Sequence, residues 1–255
     1  MNYKIKALKC GEQLVPGPEI FHMSRWYDWI KVNMYFWYIT NGKTKILIDT
    51  GIRDPDEINK IILPEFGEKA KFFIPKGFDL ISGLKNISLT PGDIDYVIIT
   101  HFHYDHLSNI KLFNNARIII SRKGFINSLC PKHKSMINHP LFPKDIFLYF
   151  LDEAKDRLIL AEEEEEILPG IKLFWVGGHT MCSQAVKIET ENGKVVLTGD
   201  IVFLYENIEK NIPIGLMYNL IECLDGMERI RYEADIILPG HDPQILIKYP
   251  EGDIV

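Results

Sequence analysis

The 255-residue sequence has no apolar run of the roughly 18 residues that a membrane span requires. It has only four cysteines, Cys10, Cys130, Cys182 and Cys223, and no two of them form a C-x-x-C pair. Scattered thiols of this kind read as reduced, which points to the cytoplasm. The opening MNYKIKALKCGEQ lacks the apolar core of a secretory signal, so export is not expected. Positive charge is in deficit: 29 Lys and Arg stand against 35 Asp and Glu, a net charge of -6. A nucleic-acid binder would show a basic patch or stripe, and nothing here invites an anionic membrane. What remains is an ordinary globular composition, 46% hydrophobic and 25% charged, in a chain long enough to bury a core without staples. The expectation is one domain over 1–255 that acts on a small molecule, not on nucleic acid or membrane, with a homodimer left open.

Short strands dominate the reading. Lys4 to Leu8 reads as an edge strand. Tyr35 to Thr40 and Thr44 to Ile48 read as a hairpin turning at Asn41-Gly42. Phe78 to Ile87 has helical spacing, and Tyr96 to Ile99 and Arg117 to Ser121 are short apolar runs of the buried-strand kind. In the second half, Ile171 to Val176, Ala185 to Thr190, Lys194 to Thr198 and Asp235 to Leu238 read as strands, and Leu220 to Ala234 as a helix. A repeat is visible: Asn41-Gly42-Lys43 leads through ILIDTG to Asp49, and Asn192-Gly193-Lys194 leads through VVLTGD to Asp200. Arg53 to Lys76 and Lys123 to Lys155 lack a clean period and read as long loops or lids. The acidic run Glu162 to Glu166 reads as a solvated connection beside a strand.

The residues that carry chemistry begin at His101-Phe102-His103-Tyr104-Asp105-His106, which follows the run Tyr96 to Ile99 and one threonine. Positions i and i+2 of an extended segment face one side, so His101 and His103 can share one metal ion. Asp105 and His106 can then turn towards a second. Imidazole and carboxylate suit zinc, and also iron or manganese. Packing alone rarely places three His and an Asp in six residues. Four groups so close cannot surround two ions, so further ligands must come from elsewhere. Gly177-Gly178-His179, Gly199-Asp200 and Gly240-His241-Asp242 each follow an apolar strand. Their glycines allow the sharp turn that presents a ligand at a strand end.

Taken together, HFHYDH, GGHT, TGD and PGHD, in this order, resemble the metallo-β-lactamase superfamily. The resemblance implies an α/β fold, the αββα sandwich of two mixed sheets packed face to face with helices outside and metals at one edge. It implies that His101, His103 and His179 hold one metal and Asp105, His106 and His241 the other, with Asp200 as bridge. Asp49 is then an orienting carboxylate, and Asp242 a second one. The implied cofactor is two Zn2+, with Fe or Mn as substitutes. Two close cations supply a hydroxide near neutral pH for attack on a carbonyl carbon, and Asp105 is the implied proton carrier to the leaving group.

Within the superfamily the chain most resembles the N-acyl homoserine lactonases, in length, in the ILIDTG hairpin, in the aromatic at Tyr104 and in the short tail after His241. Cysteine is absent from the bridging position, unlike the best-known class B β-lactamases. Two positions depart from the lactonase pattern: Phe203 stands where those enzymes have Tyr, and Ser183 where many have His. Tyr205, two residues on, is the candidate replacement for the missing phenol. Tyr104, Phe203 and Trp26 are candidates to line a substrate pocket; the aromatics from Trp26 to Trp37 otherwise pack the sheet. The expectation is hydrolysis of a lactone or related ester. A glyoxalase II-like thioesterase, a mononuclear iron dioxygenase of the same fold and a metal-binding module without activity stay open.

Overall fold

Two patterns of alternating apolar residues become two packed sheets in the computed structural model, which describes residues 2–134 and 141–255. β1 (Lys4–Pro16), β2 (Trp29–Thr40), β3 (Lys45–Ile48), β4 (Tyr96–Ile98), β5 (Arg117–Ser121) and β6 (Leu158–Ala161) lie side by side in that order. β1 to β3 are antiparallel, and β3 to β6 are parallel. The second sheet runs β7 (Glu164–Leu168), β8 (Ile171–Trp175), β9 (Gln184–Thr190), β10 (Gly193–Leu197) and β11 (Ile236–Leu238), with only the β10–β11 pair parallel.

The period of two sorts the strand side chains into two cores. Tyr35, Trp37, Ile39, Ile46, Ile48, Ile98 and Ile119 of the first sheet meet Leu173, Val186, Ile188, Val195 and Leu197 of the second. Their neighbours Met34, Phe36, Leu47, Val97, Ile118, Phe174 and Val196 face outward into a core shared with helical residues such as Leu84, Ile146, Met227 and Ile230. Strands buried on both faces read as unbroken apolar runs, which is why β4, β5 and β10 were legible.

The helices are α1 (Gly17–Ile20), α2 (Pro55–Phe66), α3 (Leu80–Asn86), α4 (Tyr104–Leu107), α5 (Arg122–Leu129), α6 (Lys144–Leu151), α7 (Tyr205–Lys210), α8 (Leu220–Glu233) and α9 (Gln244–Lys248). α3 sits tight on the sheet: a Cβ at Gly83 would lie 2.8 Å from Phe36 Cζ. The expected loop Arg53–Lys76 contains α2, whose start is capped by Asp54 accepting from Asp56 N at 2.9 Å. Its last turn carries Pro64, which hid the helical period. The stretch 123–155 likewise contains most of α5 and all of α6, while its residues 135–140 lie outside the described residues. The acidic run is no mere connection either. Glu164 to Glu166 enter β7 at the sheet edge, and Glu164 pairs with Lys172 and Arg229. Charge at an exposed edge discourages strand addition by another chain.

The repeat is topological. β2–β3 and β9–β10 are both antiparallel hairpins, and each second strand pairs in parallel with a later one, β4 and β11. Asp49 and Asp200 leave corresponding strand ends, and His101 and His241 follow the strands beside them.

Candidate metal centre

Seven side chains from four strand ends converge at one edge of the sandwich. His101 and His103 follow β4, and Asp105 and His106 sit in α4. His179 follows β8, Asp200 follows β10 and His241 follows β11. The glycines give the turns their shape. Gly177, Gly178 and Gly199 have φ of 60°, 70° and 53°. A Cβ at Gly178 would lie 2.6 Å from Cys223 N, and one at Gly240 2.7 Å from Gly199 O.

The ligand atoms form two groups, His101, His103, His179 and Asp200, and Asp105, His106, His241 and Asp200. Within each, the candidate atoms lie within 4.8 Å of one another. Asp200 belongs to both, with one oxygen for each. Its Oδ2 is 3.6 Å from His101 Nε2 and 3.4 Å from His179 Nε2. Its Oδ1 is 3.2 Å from His106 Nε2 and 3.0 Å from His241 Nε2. Asp105 Oδ2 is 3.3 Å from His106 Nε2 and 3.8 Å from His241 Nε2.

The opposite ring nitrogens are fixed by other partners. His106 Nδ1 is 2.7 Å from Asp49 Oδ2. His179 Nδ1 is 2.6 Å from Leu216 O, and His241 Nδ1 is 2.9 Å from Asn33 O. Donation from Nδ1 leaves Nε2 as the lone-pair face, which is how ligating histidines are usually prepared. Asp49 is held in turn, in a left-handed conformation with φ of 60°, by the amide and hydroxyl of Thr100, both at 2.8 Å.

The donor set fits a pair of cations. The Nε2 atoms of His101 and His106 and Oδ1 of Asp200 are buried and make no hydrogen bond among the described residues. Burial, then the charge of His106, holds the His101 pKa well below the ordinary value, and burial also lowers that of His179. Both rings are therefore neutral and ready to ligate. At His106 burial opposes the charged form, but Asp200, Asp105 and Asp49 outweigh it and raise the pKa. At Asp200 burial likewise favours the neutral acid, yet His241, His106 and His101 pull the pKa well below the usual carboxylate range. Among the described residues these carboxylates meet histidines but no lysine or arginine. Buried carboxylates need compensation, and a divalent cation provides more of it than a proton.

His103, Asp105, Asp200 and His241 also line the floor of a cavity of about 290 Å³. Its walls are mainly apolar: Val15, Val32, Met34, Ile58, Phe72 and Leu216 among them. Phe203 lies at the floor, its ring 4.9 Å from that of His241 and 5.8 Å from that of His179. Four other expectations are not met. Trp26 is 59% exposed and is not part of the cavity wall. Tyr104 turns away, because its hydroxyl donates to Glu57 Oε2 at 2.6 Å and lies 3.1 Å from Asp54 O, tying α4 to α2. Tyr205 does not replace the phenol missing at Phe203. Its amide donates to Asp242 Oδ2 at 2.7 Å and it opens α7, so the two positions do not share a strand face. Its ring packs instead against the core between the sheets, with Lys248 Nζ 5.7 Å from the centroid. Among the described residues the Asp242 carboxylate bonds to no ligand ring; it takes the amides of Tyr205 and Gln244, and so braces the chain beyond His241.

Some positioning groups left no trace in residue type. The carbonyls of Asn33 and Leu216 orient two histidines, and any residue offers a carbonyl. Glu222, in the first turn of α8, accepts the Gly178 amide at 2.9 Å. Asp49 was the orienting group that the sequence did show, at the end of the ILIDTG hairpin.

Comparison with known proteins accounts for this arrangement. A model of the metallo-beta-lactamase superfamily matches residues 29–241. The chain belongs to that superfamily. The N-acyl homoserine lactonase AiiA of Bacillus thuringiensis subsp. kurstaki is 28% identical over 213 residues, covering 77% of this chain and 76% of that one. A probable metallo-hydrolase of Methanocaldococcus jannaschii is 30% identical over 163 residues, 64% of each chain. An N-acyl homoserine lactone hydrolase, solved with the product N-hexanoyl-L-homoserine at its catalytic metal centre, superposes with a TM-score of 0.81 at 23% identity over 100% of both chains. A probable metal-dependent hydrolase from Staphylococcus aureus does so with a TM-score of 0.75 at 24% identity, over 94% of this chain and 90% of that one. Fold, family and candidate ligands agree on a metal-dependent hydrolase built as the αββα sandwich. No helix of the described residues is long and apolar enough to cross a membrane.

Proposed function

We propose that this chain opens the lactone ring of N-acyl homoserine lactones or close ester relatives, using two zinc ions. His101, His103 and His179 would hold one ion and Asp105, His106 and His241 the other, with Asp200 available to both. When bound, the ions supply Lewis acidity and an activated water. The residues do the rest. The apolar wall takes the acyl chain and excludes water around the carbonyl. The Asp105 carboxylate, on the cavity floor, would take the proton that the attacking water gives up and pass it to the ring oxygen as the carbon–oxygen bond breaks. The observation that carries the reading is Asp200, buried with one oxygen towards each ligand group beneath an apolar cavity. The relatives' names support lactones over other esters. Iron or manganese is the alternative metal. The scattered cysteines, Cys130 exposed among them, support a cytoplasmic setting.

The test is a set of initial rates on protein of measured zinc content, with N-hexanoyl homoserine lactone, a glutathione thioester and a phosphodiester. Ring opening faster than thioester cleavage, lost on chelation and restored by zinc, supports the proposal. Thioester cleavage alone would transfer the assignment to the glyoxalase II-like alternative.

A further inference from the structure

Two carboxyl groups in the cavity serve no part of the centre just described, and one of them is half-buried. Glu19, in the turn α1, lines the same cavity as Asp105 and His241. It is half-buried, and its carboxylate has no hydrogen bond or ion pair among the described residues. The charge it does meet is of its own sign: Glu65 of α2, which also lines the cavity. Burial first, and then the Glu65 charge, push the Glu19 pKa up to about 7.

Its place is fixed relative to the metal ligands. The Glu19 carbonyl accepts the amides of Gly215 at 2.8 Å and Leu216 at 2.9 Å. The Leu216 carbonyl in turn orients His179 at 2.6 Å. A Cβ at Gly215 would lie 1.7 Å from Pro18 O, so the two segments touch along their backbones. The turn that carries the carboxyl is therefore clamped to the loop that aims a ligand.

A plain hydrocarbon chain filling this cavity would cover the Glu19 carboxyl and give it nothing in return. Burying a polar group without a partner is costly, and sites that hold such a group discriminate strongly for the ligand that satisfies it. We propose that Glu19 is a specificity-determining residue that selects acyl chains carrying a hydrogen-bond donor, an ammonium above all, over unsubstituted alkyl chains. The proposal rests on the hydrolase reading of the cavity floor and names the substrate class that reading leaves open. Binding of an ammonium would favour the ionised form of Glu19, the cation offsetting the repulsion between Glu19 and Glu65.

The test compares N-acyl homoserine lactones of four to eight chain carbons that end in methyl, hydroxyl or ammonium, on the zinc-loaded protein and its Glu19→Leu and Glu19→Gln variants. At the chain length that reaches Glu19, the wild type should favour ammonium over methyl by about tenfold in kcat/KM, the low end of the cost of leaving a buried polar group without its partner. Glu19→Leu should reverse the order. Glu19→Gln should keep a preference for hydroxyl while losing that for ammonium, a pattern that a merely structural role would not produce. Binding of octylammonium and octanol, measured by calorimetry, needs no turnover. If no lactone is hydrolysed, yet octylammonium binds the wild type about tenfold tighter than Glu19→Leu, the lactone assignment falls and the role of Glu19 stands. If lactones are hydrolysed with no donor preference at any length, or with one that survives in Glu19→Leu, the proposal for Glu19 is overturned.

Discussion

Asp49 and Asp200 end corresponding strands of two similar hairpins, yet they occupy opposite kinds of environment. Asp49 is surrounded by donors: an amide, a hydroxyl and the Nδ1 of His106. Its lone pairs are spoken for. Asp200 is surrounded by imidazole Nε2 faces, four of them between 3.0 and 3.6 Å. Its Oδ1 is left without a hydrogen bond among the described residues. The same residue at the same topological station thus becomes an orienting group in one half and a candidate bridge in the other. The deciding factor is not the strand but what the neighbouring parallel strand presents. β4 delivers Thr100 to Asp49 and His101 to Asp200, while β11 delivers His241 to Asp200.

That contrast predicts unequal losses. Asp200→Asn removes the negative charge and puts an amide nitrogen against the lone pairs of one of the two ligand groups. Turnover should fall on the order of a thousandfold or more, in the range seen when a group acting at the reacting atoms is removed. Zinc content, measured by elemental analysis, should drop from two per chain while the circular dichroism spectrum is retained. Wild-type rate in this variant would mean the bridge is misassigned. Asp49→Asn acts one step away, by releasing His106 and Thr100. It should weaken binding of one zinc by about 10- to 100-fold, as is usual for partners of ligating residues. Chelator competition should detect this before any loss of fold. Equal losses from both variants would erase the distinction between the two carboxylates.

The strand-end ligands were legible because they are rare residue types in a short span, set behind apolar runs whose period is two. Direction was not legible. Tyr104 sits between two candidate ligands, yet its hydroxyl is drawn to Glu57 of α2, a helix whose own period is masked by Pro64. On a strand, Tyr205 would share a face with Phe203, but the Asp242 carboxylate caps its amide and starts a helix there. Contacts between residues 37 positions apart decide such matters, and no local spacing encodes them. The same geometry separates the two aromatic positions in their expected effect on rate. Phe203→Tyr would bring a hydroxyl to the cavity floor beside His179 and His241. It should raise kcat/KM on a lactone by about tenfold, less than the roughly hundredfold or more of a fully preorganised donor. Tyr205→Phe should leave the rate within error, since its ring packs in the core between the sheets. A loss there would return Tyr205 to the site.

Glu19 is a third carboxyl, with neither the donors of Asp49 nor the imidazoles of Asp200. The smallest effect expected is on stability, and its sign is opposite to that of a paired carboxylate. The folded-state pKa is raised from the ordinary 4.5 to about 7. Between those values the folded protein keeps a proton that the unfolded chain has released. Stability from this group is therefore full below pH 4.5, declines as the pH rises and is lost above about 7. Groups common to both proteins, Glu65 included, cancel to first order when the wild type is compared with Glu19→Gln, which carries no titrating group at that position. The variant should match the wild type near pH 5 and exceed it at pH 8. The gap should be about 2–4 °C in Tm, the shift that roughly 1 kcal/mol produces in a chain of this size. The measurement is the difference in Tm across that range at fixed zinc concentration, so that metal binding contributes equally. A constant difference would place Glu19 in an ordinary solvated setting. A difference that opens with rising pH marks it as a cavity carboxyl that awaits its partner from the substrate.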